Sequence, residues 1–345
     1  MSLHSEILEQ PERLANLLVS RRKAVGEIAR ALQARDISYV FLAARGTSDN
    51  AGRYANYLFG AANRLPLALA TPSLFTYYGQ PPDLKGAFVI AISQSGQSPD
   101  IVSVLQEGKR QGRPTLAITN EADSPLASEA DFVLDVQAGP ELAVAATKTY
   151  TADLMAIAMI SAALKGDASA WDSLEKVPGW ISEALKADGM IRQAAQRYRY
   201  MQQCVVLGRG YNYSTAFEWA LKLKELTYVE AEPYSSADFQ HGPIAIVATG
   251  FPVMAVVSAG KVADSLTAML EHLKQDLSAE LVVISNQERP LALAQTPIPV
   301  SSEIPESLTP LVNIVPAQLF SYYLTLVKGF DAEKPRTLHK VTETR

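Results

Sequence analysis

Short, uninterrupted apolar segments that alternate with helical segments are the feature that most constrains how this chain folds. In the first half of the chain these segments cover residues 39–44, 87–92, 114–118 and 132–136. Helical segments are predicted after the first two, over residues 51–58 and 99–111. Strands that are apolar throughout are typical of parallel sheets covered by helices on both faces. The sequence therefore predicts an α/β fold.

The same pattern returns in the second half of the chain. Apolar segments cover residues 204–208, 252–257 and 280–284, with a helix predicted over residues 215–226 and a last apolar helix from about Val315 to Lys328. Three short segments, called stations below, occur at nearly the same spacing in both halves. They are Arg45-Gly46 with Arg209-Gly210, Gly96 with Gly260, and residues 118–120 with 284–286. A repeat of this size indicates two tandem domains and not a solenoid.

The length of 345 residues is enough for two domains, each with its own core. We predict an N-terminal helix over residues 1–24, a first domain over 25–165, a helical linker region over 166–190, a second domain over 191–329 and a C-terminal tail over 330–345.

Composition excludes several classes of protein. The net charge of −5 argues against a nucleic-acid partner, because proteins that bind the phosphate backbone usually carry a basic face. The single cysteine, Cys204, rules out a disulfide within the chain and is expected to be a buried, inert thiol. None of the four histidines is spaced as a metal ligand, so no metal is expected. We find no signal peptide or membrane-spanning run, and we expect a cytoplasmic protein.

The segment Ser93-Gln94-Ser95-Gly96-Gln97-Ser98 carries the sharpest chemical signal. It follows a predicted buried strand and opens a predicted helix. The first N–H groups of a helix lack partners within the helix, and the helix dipole makes that end positive. The hydroxyl and amide side chains add donors, so the segment suits a dianionic phosphate monoester. The alternative is a serine-rich cap that serves only the helix.

Other candidate residues each have an equally plain alternative. Thr47 and Ser48 end a neighbouring strand and offer hydroxyl groups to a ligand, or form an ordinary turn. Lys222 and Glu225 share one face of a predicted helix. They are either part of a functional site or a solvated ion pair that contributes little to stability. His241 precedes Gly242-Pro243 in a segment, residues 234–243, that we predict to be a loop. It is a group that titrates near neutral pH or a structural loop residue.

Taken together, these segments resemble the SIS (sugar isomerase) domain family, in particular the isomerase half of glucosamine-6-phosphate synthase and the stand-alone glucosamine-6-phosphate deaminases. The resemblance covers nearly the whole chain. It rests on six segments in order: Gly46-Thr47-Ser48, residues 93–98, residues 141–148, residues 222–225, His241-Gly242-Pro243, and Pro335-Arg336 followed by Lys340-Val341-Thr342. The implied fold is two tandem SIS domains, each a doubly wound, flavodoxin-like parallel sheet flanked by helices, with a C-terminal tail over the active site.

The resemblance also implies a role for each matching residue. Ser93, Gln94, Ser95 and Ser98 match the phosphate loop. Thr47, Ser48 and Val144 match substrate-contacting positions, and Glu225 matches the carboxylate that moves a proton between C1 and C2. His241 matches the residue that opens the sugar ring and comes from the neighbouring subunit, so a homodimer is implied. Lys222 matches a lysine beside the catalytic glutamate, and Lys340 matches a tail lysine that forms a Schiff base with the keto sugar.

These roles imply an enzyme that needs no cofactor, and they leave its reaction open. The chain contains no match to the glutaminase domain of the synthase, and its ending, from His339 to Arg345, is more similar to the stand-alone deaminases. We therefore expect an isomerising deaminase that converts glucosamine 6-phosphate, or a close amino-sugar phosphate, to fructose 6-phosphate and ammonia. The alternatives are an aldose–ketose isomerase, a fructosamine-6-phosphate deglycase and a non-catalytic sugar-phosphate sensor.

Overall fold

The computed structural model describes residues 2–338 and Lys340. The expectations for His339 and Val341–Arg345 at the end of the tail lie outside the described residues. Within the described part, ten strands form two parallel sheets of five strands each. They are β1 Tyr39–Ala43, β2 Leu67–Leu69, β3 Ala87–Ile92, β4 Thr115–Thr119, β5 Phe132–Asp135, β6 Gln203–Gly208, β7 Glu230–Ser235, β8 Pro252–Val257, β9 Glu280–Ser285 and β10 Thr296–Pro299.

The strand order confirms the predicted tandem α/β repeat. The first sheet has the order β2-β1-β3-β4-β5, and the second has the equivalent order β7-β6-β8-β9-β10. All neighbouring strands are parallel, with Tyr39 beside Ala87 in the first sheet and Val205 beside Val253 in the second. The central strands β3 and β8 are buried along their whole length, because helices cover both faces of each sheet.

Three strands were missed by sequence reasoning. β2 is an edge strand of the first sheet, and β10 and β7 are the two edge strands of the second sheet. β7 and β10 contain prolines and polar residues, and β2 is apolar but only three residues long, so none of them forms an apolar segment of ordinary strand length. The prediction that residues 234–243 form a loop was wrong at its beginning. There the chain completes β7 and enters a short helix over Ser236–Phe239.

The helices that connect and cover these strands are as follows: α1 Leu3–Leu8, α2 Gln10–Gln33, α3 Gly46–Leu58, α4 Ser73–Thr76, α5 Pro99–Arg110, α6 Pro125–Glu129, α7 Lys148–Lys165, α8 Ala168–Ala184, α9 Asp188–Ala195, α10 Tyr213–Thr227, α11 Ser236–Phe239, α12 Ala263–Gln275, α13 Glu288–Leu293 and α14 Thr309–Val327. A π-helical turn, Phe59–Asn63, extends α3, and short 3₁₀ turns cover Leu185–Ala187, Gln196–Tyr198, Gly210–Asn212, Pro243–Ile246 and Glu306–Leu308.

The chain divides into two compact units. One contains the first sheet and comprises residues 12–141 and 148–176 together with Lys340. Its core lies between β1, β3, β4 and α5, and includes Val89, Ala91, Val104 and Leu105. The other contains the second sheet and comprises residues 2–11, 142–147 and 177–338. Its core includes Val205, Val253, Leu270 and Val283. The domain boundaries proposed from the sequence stay a prediction.

The helix α14 is the central helix of the second unit. It packs against α9 and α10, and almost all of its residues are buried. The segment Glu306–Val327 is long and apolar enough to cross a membrane by length and composition, but 83% of its apolar stretch is buried inside the protein. This is the pattern of a core helix that packs on every side.

Candidate functional site

The phosphate-loop candidate lies where the strand order of the first sheet reverses. β1 and β3 are neighbours, and the connections that leave their carboxyl ends run to opposite sides of β1 along the sheet. Open α/β sheets bind ligands at such a switch point, outside the carboxyl ends of the strands. The segment Ser93–Ser98 follows β3, and Gly46-Thr47-Ser48 follow β1 after Ala44-Arg45. Both candidate segments of this unit therefore stand at the same edge of the sheet.

The backbone of the loop Ser93–Ser98 is held in one conformation by its own side chains. The N–H of Gly96 donates to the Ser93 hydroxyl at 3.1 Å, and the N–H of Gln97 donates to the Ser95 hydroxyl at 3.3 Å. Gly96 has a φ of +61°, and a Cβ there would lie 2.1 Å from the Ser124 hydroxyl oxygen. The loop therefore requires glycine at this position on two grounds.

The N-terminus of α5 is not capped by the serine side chain at its N-cap position. Ser98 is the N-cap residue, yet its side chain makes no capping hydrogen bond. The helix proper begins at Pro99, with Asp100 buried in its first turn. The positive end of the helix dipole thus faces a loop whose cap hydroxyl is not used by the helix, which is the arrangement used for anion binding at helix N-termini.

Thr47 and Ser48 lie in the first turn of α3. The sequence placed them in a turn ahead of a helix that begins at residue 51, but the helix begins at Gly46. Arg45 is its extended N-cap residue, and the N–H of Ser48 donates to the Arg45 carbonyl oxygen at 3.1 Å. Ser48 is buried, whereas Thr47 is partly exposed. A second helix N-terminus thus opens at the switch point, beside that of α5.

Arg45 is a functional candidate that sequence reasoning used only as a marker of the repeat. Its Nε donates to Oδ2 of Asp100 at 2.8 Å, and its Nη2 lies at the same distance from that oxygen. Asp100 is fully buried, while the side chain of Arg45 is 51% exposed. The pair links the beginnings of α3 and α5 and leaves an oriented guanidinium at the surface. The preserved Arg-Gly station was the signal that pointed to it.

In the second unit, Lys222 and Glu225 lie on α10 and form a buried cluster with Glu218. Nζ of Lys222 donates to Oε2 of Glu225 at 2.6 Å and lies 3.3 Å from Oε1 of Glu218. The side chain of Lys222 is 1% exposed and that of Glu225 is 24% exposed. The solvated ion pair considered from the sequence is therefore wrong. Glu218, one turn before Lys222, was missed because its i,i+4 spacing alone does not reveal burial.

The charge state of Lys222 follows from this cluster. Burial by itself lowers the pKa of a lysine, but the negative charges of Glu218 and Glu225 outweigh that effect. The net result is a pKa of Lys222 that is raised above its usual value, so the side chain is an ammonium at neutral pH. One cation is shared by two carboxylates, and only the Glu225 carboxylate reaches solvent.

Lys340 pairs with a carboxylate of the first unit. Its Nζ donates to Oε2 of Glu141 at 2.8 Å. Glu141 is buried, and its two oxygens also accept hydrogen bonds from the N–H and the hydroxyl of Thr149, at 3.2 Å and 2.8 Å. Glu141 therefore fixes Lys340 at the beginning of α7. It stood in the sequence motif 141–148, but nothing in its spacing indicated this contact.

The remaining candidates, Val144 and His241, lie in the unit of the second sheet. Val144 is in the segment 142–147, whose first two N–H groups donate to the buried carboxylate of Glu6, that of Leu142 at 2.5 Å. His241 is exposed, shortly after α11, and its N–H donates to the Asp238 carbonyl oxygen at 3.0 Å.

The candidates thus fall into groups. Thr47, Ser48 and the loop Ser93–Ser98 share one sheet edge, and Lys340 belongs to the same unit. Lys222 and Glu225 are in contact in the other unit, where His241 and Val144 stand on separate segments. The part of the chain that the structure describes holds no cluster of three or more His, Cys, Asp or Glu side chains suited to a metal ion.

Comparison with known proteins identifies the repeat. The family model for the SIS domain matches residues 35–163 and again residues 200–328. The glutamine–fructose-6-phosphate aminotransferase (isomerizing) of Thermococcus kodakarensis is 34% identical over 345 residues, which is 97% of this chain and 56% of that protein. The chain spans little more than half the length of the curated relatives it matches.

Two solved structures match almost from end to end. One, from Silicibacter pomeroyi DSS-3, is provisionally assigned as a phosphosugar isomerase; it is 33% identical with a TM-score of 0.87, and the match covers 96% of this chain and 99% of that one. The other is the C-terminal domain of glucosamine-fructose-6-phosphate aminotransferase from Francisella tularensis, 27% identical with a TM-score of 0.86, covering 96% and 98%.

Proposed function

The chain belongs to the SIS domain family, and from that premise we propose that it is a phosphosugar isomerase whose substrate is an amino-sugar phosphate. The observation that carries the proposal is the loop Ser93–Ser98 at the switch point of the first sheet. Its glycine is required by the backbone, and its N-cap hydroxyl is not used for capping. Such a loop suits a phosphate monoester, which anchors the substrate by the end that does not react.

Glu225 is proposed as the group that moves the proton. It is the member of the Glu218–Lys222–Glu225 cluster that reaches solvent, and its Oε2 accepts a hydrogen bond from Nζ of Lys222 at 2.6 Å. In the open-chain amino sugar, Glu225 takes the proton from C2 and returns it to C1, while the C1 carbonyl oxygen gains a proton and the C2 amine loses one. The carbon–nitrogen bond at C2 then becomes an imine, and water hydrolyses the imine to a ketone and ammonia.

The direction of this reaction is the finer part of the proposal. The relatives are named as isomerizing aminotransferases of glutamine and fructose 6-phosphate. The reverse of an isomerising amination of fructose 6-phosphate, with ammonia in place of glutamine as the nitrogen compound, converts glucosamine 6-phosphate to fructose 6-phosphate and ammonia. We propose this deaminase activity in a cytoplasmic homodimer, with His241 assisting ring opening in the neighbouring subunit and Lys340 binding the open-chain keto sugar.

An aldose–ketose isomerase is the second candidate. It is favoured by the end-to-end similarity to the Silicibacter pomeroyi protein, which is provisionally assigned as a phosphosugar isomerase and not as an aminotransferase or deaminase. An isomerase would use the same loop and the same base, but the substrate would carry a hydroxyl group at C2 and no nitrogen would leave.

A substrate panel tests the proposal. Purified protein is incubated with the 6-phosphates of glucosamine, galactosamine, glucose and fructosamine, and ammonia and ketose phosphate are measured separately. Ammonia with either amino sugar is the expected result. Ketose formation from glucose 6-phosphate without ammonia would favour the isomerase, and release of a free amine from fructosamine 6-phosphate would favour the deglycase. Binding without turnover would favour the sensor.

The proposed base has its own test. The variant Glu225→Gln is expected to lose about 10²–10⁴-fold in kcat, because the amide cannot take up the C2 proton. Glu230→Gln, exposed on β7, is the matched control and should keep the wild-type rate. Full turnover by Glu225→Gln would mean that another group moves the proton.

A further inference from the structure

The second repeat contains a counterpart of the phosphate loop that has few of the hydroxyl side chains of the first. β8 is followed by Ser258-Ala259-Gly260-Lys261, and α12 begins at Ala263, as far after Gly260 as α5 begins after Gly96. Gly260 likewise has a positive φ, +150°. Because the loop lacks most of the hydroxyl groups of Ser93–Ser98, it would not be expected to hold an anion by side chains.

A carboxylate from another segment nevertheless occupies this loop. Glu306 lies in the connection between β10 and α14, and its Oε1 accepts a hydrogen bond from the N–H of Lys261 at 3.1 Å. A Cβ on Gly260 would lie 2.0 Å from Cδ of Glu306, so the carboxylate rests directly on the glycine backbone. The connection that carries Glu306 is the counterpart of the one that carries Glu141 in the first repeat.

The niche around Glu306, beside the loop Ser258–Lys261, has almost no free space. The space left in the niche, which Arg209, Tyr211 and Ser258 help to line, is about 10 Å³, which is at most enough for a single water molecule. Arg209 is the counterpart of Arg45 and donates to the hydroxyl of Ser265 in the first turn of α12 at 2.8 Å. Burial raises the pKa of Tyr211, and the negative charge of Glu306 raises it further.

We infer that the Glu306 carboxylate occupies, from within the chain, an anion site at the beginning of α12, and that this site accepts a phosphoryl group when the carboxylate is absent. The inference goes beyond the proposed function, because it concerns the loop that the proposed reaction does not use. A tethered carboxylate competes with external anions at a high effective concentration. The intact chain therefore keeps the second niche closed. Of the two equivalent loops, it leaves the loop Ser93–Ser98 available to bind phosphate.

Phosphate stoichiometry tests the inference, with inorganic phosphate as the probe. Binding to wild type, Glu306→Ala and Glu303→Ala is followed by equilibrium dialysis with labelled phosphate at constant ionic strength. Glu303 is an exposed acid in the same connection, so its variant is a matched control for the loss of one negative charge. We expect one phosphate per chain for wild type and for Glu303→Ala, and two for Glu306→Ala.

Two further variants keep the test decisive. Glu306→Gln retains the volume and an acceptor for the Lys261 N–H, so it should leave the niche closed and bind no extra phosphate. Glu306→Ser vacates the niche but keeps a polar group, and it replaces Glu306→Ala if circular dichroism shows that the alanine variant is unfolded. Phosphate should raise the unfolding temperature of the vacated variant more than that of wild type, because a second bound ligand stabilises only the folded state.

The outcomes separate this inference from the proposed function. Equal stoichiometry in wild type and in both vacated variants would overturn the inference. One extra phosphate in a vacated variant supports it even if wild type binds none, and in that case it is the phosphate-loop part of the proposed function that fails.

Discussion

Lys222 is the residue whose contribution to stability depends most on its surroundings. In the sequence it is one of two lysines on a helix that also carries two glutamates, and an exposed ion pair there would contribute little to stability. In the structure it is the buried centre of a cluster with Glu218 and Glu225. A buried pair costs free energy to form, but removing one partner leaves a carboxylate buried without its cation.

Replacing Lys222 by Met should therefore lower the free energy of unfolding by ~3–5 kcal/mol. The exposed Lys224→Met on the same helix is the matched control and should change it by less than about 0.5 kcal/mol. Both values come from urea unfolding followed by circular dichroism. Equal effects of the two variants would contradict the buried cluster.

The same cluster makes a prediction about pH. Because the pKa of Lys222 is raised in the folded state, its contribution to stability is complete below the ordinary lysine pKa of 10.5 and is lost as the pH rises through the higher folded value. The difference in unfolding free energy between wild type and Lys222→Met should therefore stay constant from about pH 6 to about pH 9 and decline only in strongly alkaline solution. A decline of this difference within the neutral range would show that the pKa of Lys222 is not raised.

Lys340 allows a chemical test at the level of one side chain. Borohydride reduces a Schiff base to a stable amine, so treatment of the enzyme with fructose 6-phosphate and borohydride should attach the sugar covalently to Lys340. Peptide mass spectrometry locates the adduct. Lys340→Met should abolish it, whereas Lys334→Met, an exposed lysine of the tail, should leave it unchanged. An adduct on another lysine would remove Lys340 from the proposed mechanism.

At the scale of the element, the loop between β3 and α5, which we propose binds phosphate, shows how one glycine fixes the conformation of a loop. Gly96 combines a positive φ with a close approach to Ser124, whereas Gly112, after α5, has a φ of +69° with no atom within 4 Å of the position that a Cβ would take. Substitutions at these two glycines therefore distinguish the effect of backbone strain alone from that of strain combined with a steric collision.

Gly112→Ala should cost only ~1–2 kcal/mol of stability, because its one penalty is the left-handed conformation of the alanine. Gly96→Ala adds a collision with Ser124, which has to displace the loop, so phosphate affinity should fall by more than about tenfold. Calorimetric titration with inorganic phosphate measures the affinity, and thermal unfolding measures the stability. Unchanged phosphate affinity in Gly96→Ala would contradict the assignment of this loop.

Elements were predicted with uneven success, and the reason is burial. β3 and β8 have the predicted bounds, because both strands are apolar along their whole length and buried on both faces. The edge strands β7 and β10 gave no such signal, because their exposed positions carry glutamates in β7 and prolines in β10. β2 is apolar but only three residues long. α3 begins at Gly46 because the extended backbone of Arg45 serves as its N-cap, and a polar first turn resembles a loop in sequence.

At the scale of the whole molecule, the proposal requires a second copy of the chain, because His241 is proposed to act in the neighbouring subunit. His241→Ala and Glu225→Gln should each be inactive alone. Mixed in equal amounts and allowed to exchange subunits, they form hybrids that contain one site with both residues intact, so about a quarter of wild-type activity should return. Sedimentation establishes the dimer in the same samples. No recovery in hybrids that are shown to form would mean that His241 acts within its own chain.

The sequence by itself determined the architecture and the kind of ligand to be expected. Continuous apolar strands, the repeated glycine positions and the loop Ser93–Ser98 are local patterns. Such patterns are sufficient to specify a tandem α/β fold and to predict an anion-binding loop at one edge of the first sheet. The strands can be recognised because a strand that is buried on both faces of a sheet is apolar at every position.

Only the tertiary structure decided which charges meet. The contacts of Arg45 with Asp100, Lys340 with Glu141, and Glu306 with the loop at Gly260 join residues that are far apart in the chain. The burial of Lys222 likewise depends on what packs against α10. Pairing and desolvation of charged groups are set by the three-dimensional neighbourhood, and no spacing within a single segment encodes them.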